Sequence, residues 1–550
     1  MTDTTIFTAK ALHTMDRCGP RAHAVAVRDG FVTAVGTVDE LLETGGTVDD
    51  RFADKTLMPG FVEAHSHSFG GGLWDFPYCG WFDRVGPDGR RWEGCRSIDA
   101  VLDRLRQAES AIGSANEPLI AWGLDPIYFE GERLLGHHLD RVSTTRPMFV
   151  IHASLHLATV NSAMLELAGI GPETLMEGVD KGPDGMPTGE LQEFPAMTLA
   201  AVGFGRLAES MRSPGAMLNF ARLARNAGIT TLTDLGSTGV ADRATVDRIS
   251  GVINQPDFPV RVSVFHNPNF GGSGDAEADA AMLVELVDES TDKLRLGHVK
   301  LVLDGSIQGW TARLRAPGYI GDHPNGIWLV PPEQVFDLFH PFHRAGLTVH
   351  AHCNGDETVD VFLDAVEKAL AGHPRWDHRH TVQHCQLTTP GQYRRMKALG
   401  MCANIFSNHI WYWGEQHVAD TVGYDRACRM NSAATALDIG VPLSMHSDSP
   451  VTPLGPLHVA WCAVNRISSA GRVLGAEECI SIEQAMHAIT LGAAHQLKMD
   501  DEIGSIAPGK RADFAVLDDD PWKVPPGALR DIGIWGTVLG GVPQPADNRS

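Results

Sequence analysis

Eight short runs of β-forming apolar residues, most of them closing on Gly, Ser, Asp or Asn, limit what the middle of this chain can fold into. They read TLMPGFVEAHSH (56–67), GITTLTDLGS (228–237), VRVSVFHN (260–267) and HVKLVLDG (298–305), then LTVHAHCNG (347–355), HTVQHCQL (380–387), GMCANIFSN (400–408) and VPLSMHSDSP (441–450). Helical patterns such as ETVDVFLDAVEKALAG and PGQYRRMKALG lie between most of them. Buried strands alternating with helices point to an α/β protein with a parallel sheet. The reading is a (β/α)8 TIM barrel, with an open doubly wound sheet as the alternative.

Spacing tests this reading. A barrel of roughly 250 residues allots about 31 to each βα unit. From the second run onward the steps fit, but the step from His67 to Gly228 is far too long. Residues of about 75–205 are therefore expected to form an inserted lid or side domain after strand 1. The ends of the chain carry β patterns of their own, AHAVAVRDGFVTAVGTVDEL with a D-G turn and GSIAPGKRADFAVLDDDPW. The expected division is a small β-sandwich built from 1–57 and 496–550, flanking a barrel over 58–495.

Polar residues fall where a barrel keeps its chemistry, at the C-terminal ends of the strands. His65 and His67 end the first run, Lys300 sits in the fourth, His352 ends the fifth, His384 lies in the sixth and Asp448 ends the eighth. Residues i and i+2 of a strand share a face, so His65 and His67 can address one metal ion. A His-X-His pair alone is a weak signal, since strand-end histidines are often only hydrogen-bonded. Five matching strand ends in order are a much stronger one. Four imidazoles, a carboxylate and a lysine form an N/O site best suited to Zn²⁺, although Fe²⁺, Mn²⁺ or Co²⁺ could occupy it.

Lys300 is the anomaly, because a buried ammonium beside a cation is doubly costly. A neutral amine instead captures CO₂ as a carbamate, an anionic two-oxygen ligand able to bridge two metals. The plainer alternatives are a lysine reaching the barrel rim or an ion-pair partner of Asp304. A metal lowers the pKa of its water towards about 7. Asp448 would take a proton as the resulting hydroxide attacks a carbonyl, and deliver it to the leaving amine.

Composition removes other classes. A net charge of −23 argues against nucleic acid or an anionic membrane as a partner. No run approaches the length of a membrane span, and the first twenty residues lack a signal-peptide core. Nine scattered cysteines without a CxxC pair suggest reduced thiols, so a cytoplasmic location is expected. No G-x-G-x-x-G follows the first strand, which speaks against a dinucleotide enzyme.

MPGFVEAHSH, GHVKLVLDGSIQGWTA, VHAHCNGDETVDVFLDA, TVQHCQL and MHSDSPVTPLGPL together resemble the amidohydrolase superfamily. More narrowly they are similar to amidohydrolase family 3, the YtcJ-like enzymes related to N-substituted formamide deformylase. The resemblance spans nearly the whole chain, and GMPTGELQE is similar to that group's insertion. It implies that His65, His67, Lys300 and Asp448 hold one metal, and that a carboxylated Lys300 with His352 and His384 holds a second, with Asp448 as the acid/base. It further implies a C–N hydrolase acting on a small N-substituted amide, formamide or carbamate, and suggests a homodimer. SNHIWYWGEQH resembles a pocket-lining segment of one branch. His156, Asn404, His409, Trp411 and Trp413 are accordingly the candidates for substrate contact, with packing as the plainer role for each. Asn404, Cys353 and Asn354 depart from the commoner pattern of the group, which bears on the substrate rather than on the metals. Deamination, ester hydrolysis, a lyase or hydratase reaction, or a non-catalytic small-molecule sensor are the competing uses of such a site.

Overall fold

All eight runs become strands of one parallel sheet in the computed structural model, which describes residues 4–547 other than 18, 20, 115, 116, 130, 132, 237–239 and 241. The last residue of the second run, 237, lies outside the described residues. The strands are β1 (Phe61–Glu63), β2 (Ile229–Leu235), β3 (Arg261–His266), β4 (Leu294–Val302), β5 (Thr348–Cys353), β6 (Thr381–His384), β7 (Cys402–Ile405) and β8 (Leu443–Met445). They pair in sequence order, each parallel to the next. Nearly every strand residue is buried, as expected where helices cover one face and the barrel interior the other. This excludes the open doubly wound sheet.

No regular ladder joins β8 to β1, and the circle closes at the C-terminal mouth. Ser66 bridges Ser449, His67 N–H donates to Ser449 O at 2.8 Å, and Asp448 N–H donates to His65 O at 3.1 Å. Below them the buried Glu63 carboxylate accepts from Ser447 N–H at 2.9 Å and Ser447 Oγ at 2.8 Å. Burial pushes this carboxyl up to about 8, against the pull of its Ser447 partners. Closure and site are thus one set of contacts.

The crossover helices follow local rules. Asp356–Gly372 buries Val359, Phe362, Leu363, Val366 and Ala369, the one-sided stripe of a 3.6-residue period. Pro390–Leu399 begins with a Thr389/Gln392 capping box and stops at Gly400, whose φ of +73° suits glycine.

Strands from both termini run through one further sheet, seamed where Phe514–Leu517 pairs antiparallel with Thr56–Pro59. Phe7, Leu12, Val25, Leu57, Phe514 and Val516 share one apolar cluster of this unit. Its D-G turn has left-handed φ at Asp29 (+55°) and Gly30 (+82°), as a type I′ hairpin requires.

Between β1 and β2 the chain builds a five-stranded sheet from residues 119–192 and the helices Ala201–Met211 and Pro214–Asn226. The turn after His67 passes so close to the second helix that a Cβ on Gly71 would lie 1.9 Å from Ala216 O. Among the described residues no helix is long and apolar enough to cross a membrane, and eight cysteines are free thiols.

Candidate metal centre

The six residues read as ligands, His65, His67, Lys300, His352, His384 and Asp448, all line one cavity of about 270 Å³ at the C-terminal mouth of the barrel. His65 Nε2 and His67 Nε2 each lie 3.3 Å from Asp448 Oδ1. That is long for a hydrogen bond between imidazole and carboxylate. It matches the roughly 3.4 Å that separates two ligand atoms bound at about 2.1 Å to one tetrahedral ion. Asp448 Oδ1 is buried without a hydrogen bond, a polar atom that a cation would satisfy. The donor set fits a divalent metal.

Neighbours orient these imidazoles. His65 Nδ1 pairs with Gln383 Oε1 at 2.7 Å, which places the proton on Nδ1 and leaves the Nε2 lone pair facing Asp448. Gln383 Oε1 also accepts from Asn404 Nδ2 at 2.7 Å, and Gln383 Nε2 donates to His350 Nδ1 at 2.9 Å. His350 is therefore a supporting residue. On the other side, His352 Nε2 meets Gly305 O at 3.1 Å, so its Nδ1 is the free nitrogen, 2.9 Å from His384 Nε2. Asp304, fully buried, accepts the backbone N–H groups of Arg313, Asn354 and Gly355 and joins the ends of β4 and β5. It does not pair with Lys300. Gln383→Leu keeps the packing volume but frees His65. We expect about 10- to 100-fold weaker metal binding by chelator competition with the fold intact; unchanged affinity would remove this role from Gln383.

Lys300 projects from β4 with Nζ 3.4 Å from His65 Nε2. Its stem passes Gly236 at the end of β2, where a Cβ would come within 2.7 Å of Lys300 Cγ. Burial drives its pKa down to about 7, against the opposing pull of Asp448. A large neutral fraction at physiological pH is what carbamate formation needs. Burial would raise Asp448, but the adjacent His67 and the charges of His446 and Lys300 outweigh it and hold the carboxyl low. Asp448 itself has φ +54°, a left-handed conformation uncommon for a non-glycine residue and found at functional sites.

Two groups were not found from the sequence. His446 packs against His65 and His384, with Nε2 3.1 Å from His384 Nδ1, and these three could themselves hold a metal ion. The place of His446 directly after β8 and two residues before Asp448 was the available signal. Glu193, at the end of GELQE in the insertion, has φ +62° and pairs with His156 Nδ1 at 2.7 Å. No local pattern marks it, because the contact spans the insert.

Of the five substrate-contact candidates, only His156 lines the cavity, its ring centroid 5.4 Å from that of His352. Burial lowers its pKa, but the Glu193 carboxylate outweighs that and the net shift is upward. The other four lie elsewhere. Asn404 is wholly buried on β7 under the ligands, bonded to Gln383 and Ala64. His409, Trp411 and Trp413 belong to the helix His409–Gln416, whose aromatic face is spent against the insert. Trp413 Nε1 donates to Asp125 Oδ2 at 2.5 Å, His409 pairs with His417, and Trp411 packs on Phe82. The rings that do line the cavity are Phe69, Phe194, Phe204 and Phe270, with Phe194 and Phe270 4.5 Å apart.

The sequence profile of the amidohydrolase family matches residues 53–544. Over 554 residues the chain is 26% identical to N-substituted formamide deformylase of Arthrobacter pascens, covering 96% of each chain. It is 27% identical over 540 residues to Protein LONG AFTER FAR-RED 3 of Arabidopsis thaliana, covering 95% of this chain and 87% of that one. An uncharacterized metal-dependent hydrolase from Pyrococcus horikoshii OT3 has the same fold, with a TM-score of 0.71 at 20% identity over 95% of this chain and 99% of the other.

Proposed function

The chain belongs to the amidohydrolase family, and from that premise we propose that this metal-dependent hydrolase cleaves the C–N bond of a small N-substituted amide, formamide or carbamate. The observation that carries the reading is the convergence of His65, His67, Lys300, His352, His384 and Asp448 on one cavity at the barrel mouth. In this reading those six residues would hold two divalent cations, zinc the best match, with Lys300 supplying an anionic ligand as its carbamate. A relative named N-substituted formamide deformylase, similar over nearly the full length, supports this choice of substrate.

A divalent cation at such a site lowers the pKa of water and polarises an acyl oxygen. The protein's own residues do the rest. Asp448, kept ionised by its neighbours, receives the proton of the attacking water and passes it to the departing nitrogen. Its backbone N–H is bonded to His65 O, which keeps the residue beside His65 and His67 at the barrel mouth. His156, steered by Glu193 from the insert, presents Nε2 to the bound acyl group. Phe69, Phe194, Phe204 and Phe270 exclude water and receive an apolar substituent.

Metal analysis of the purified protein, followed by a panel of N-substituted formamides, carbamates, cyclic amines and esters, tests the reading. Hydrolysis of formamides or carbamates above the other classes is expected. A metal-loaded protein inactive on every amide and carbamate would overturn it. For His156→Ala we expect about tenfold lower kcat/KM with metal content unchanged. Loss of metal instead would make His156 a ligand rather than a substrate contact.

A further inference from the structure

The cavity wall is mostly apolar, and among its lining residues two arginines stand apart. Arg212 caps the C-terminal end of Ala201–Met211, and Arg248 comes from the helix Arg243–Ile253 after β2. Arg212 is exposed and Arg248 half-buried, so both lie on the solvent side of ligands such as His65 and Lys300, which are buried. The two are neighbours, Arg248 Nη1 donating to Arg212 O at 3.1 Å.

Among the described residues no carboxylate forms an ion pair with either guanidinium, whereas Arg243 on the same helix pairs with Asp247 and Glu289. Asp242 and Asp234 attract Arg248 only through space, and both carboxylates are engaged elsewhere. Asp234 accepts from Ser68 Oγ, and Asp242 accepts from Thr245 N–H and Oγ1 at 2.8 and 2.6 Å. Two adjacent cations beside an apolar wall, one of them partly desolvated, repel each other, and neither is held in an ion pair. In a chain of net charge −23 such a pair is a local exception. Guanidinium forks suit a planar carboxylate.

We propose that Arg212 and Arg248 form an anion subsite at the cavity mouth, so that the substrate is an amide whose apolar body ends in a carboxylate. This rests on the hydrolase reading above and narrows its substrate class. The reacting acyl group lies at the metal ligands, the apolar body against Phe194 and Phe270, and the carboxylate on the two arginines.

The test compares 4-(formamidomethyl)benzoate with its neutral carboxamide on the metal-loaded full chain. The acid is expected to have about tenfold higher kcat/KM. Arg248→Gln should raise its KM about tenfold and Arg212→Gln, more exposed, about threefold. Neither variant should alter turnover of the carboxamide or metal content. Equal turnover of acid and carboxamide by the wild type overturns the subsite and leaves the hydrolase reading standing. If neither is cleaved, calorimetric binding of 4-phenylbutyrate against 4-phenylbutanamide decides the subsite alone. Tighter butyrate binding that Arg248→Gln weakens supports it, and equal affinities overturn it.

Discussion

Lys300→Ala is expected to leave a folded barrel that has lost most of its metal and nearly all activity. The side chain is buried, so the substitution deletes a stem packed against Gly236, but Lys300 has no ion pair that anchors β4. The larger loss is chemical. If the amine carries a carbamate, alanine removes a two-oxygen anion shared by two cations, and the remaining imidazoles hold metal far less well. Added formate, acetate or propionate should restore part of both metal content and turnover, by filling the vacated space with a free carboxylate. Intact-mass measurement under non-denaturing conditions should find the wild type heavier by one CO₂. A Lys300→Ala protein with a full complement of metal would remove Lys300 from the centre.

Asp448→Asn should keep the fold and lower kcat by about 10³-fold. The amide retains the size of the carboxylate and the backbone bond to His65 O, so closure of the barrel survives. It can neither take up a proton nor offer an anionic oxygen to the cation beside His65 and His67. The pH profile separates these two losses. In the wild type the acidic limb of kcat/KM should fall at low pH, because His67, His446 and Lys300 hold this carboxyl below its usual range. That limb should disappear in the variant, even where metal is resupplied in excess. Retention of both rate and limb would place the proton transfer elsewhere.

Periodicity and residue type were enough to read the barrel, because the strands are short and mostly apolar on both faces, and most of the runs close on a turn residue. They were also enough to pick out the six candidate ligands. A (β/α)8 barrel sends every strand's C-terminal end to one mouth, so position along each strand states the location of its last polar residue. His65, His67, Lys300, His352, His384 and Asp448 needed no knowledge of distance once the strands were known.

The substrate wall was not legible in this way. Phe194 and Phe204 come from the insertion, Arg212 from the end of the helix Ala201–Met211, and Phe270 and Arg248 from segments after β3 and β2, so nothing in their local sequence sets them beside a cavity. Trp411 and Trp413, candidates through the resemblance of their segment to a pocket lining, are consumed in joining barrel to insert. Glu193 meets His156 only because two strands of the inserted sheet lie side by side. Strand order and the position of polar residues on it are local properties, written in the repeat of the chain. The shape and charge of the cavity come from long-range packing of an insert against a rim, which the sequence by itself left open and the tertiary structure decided.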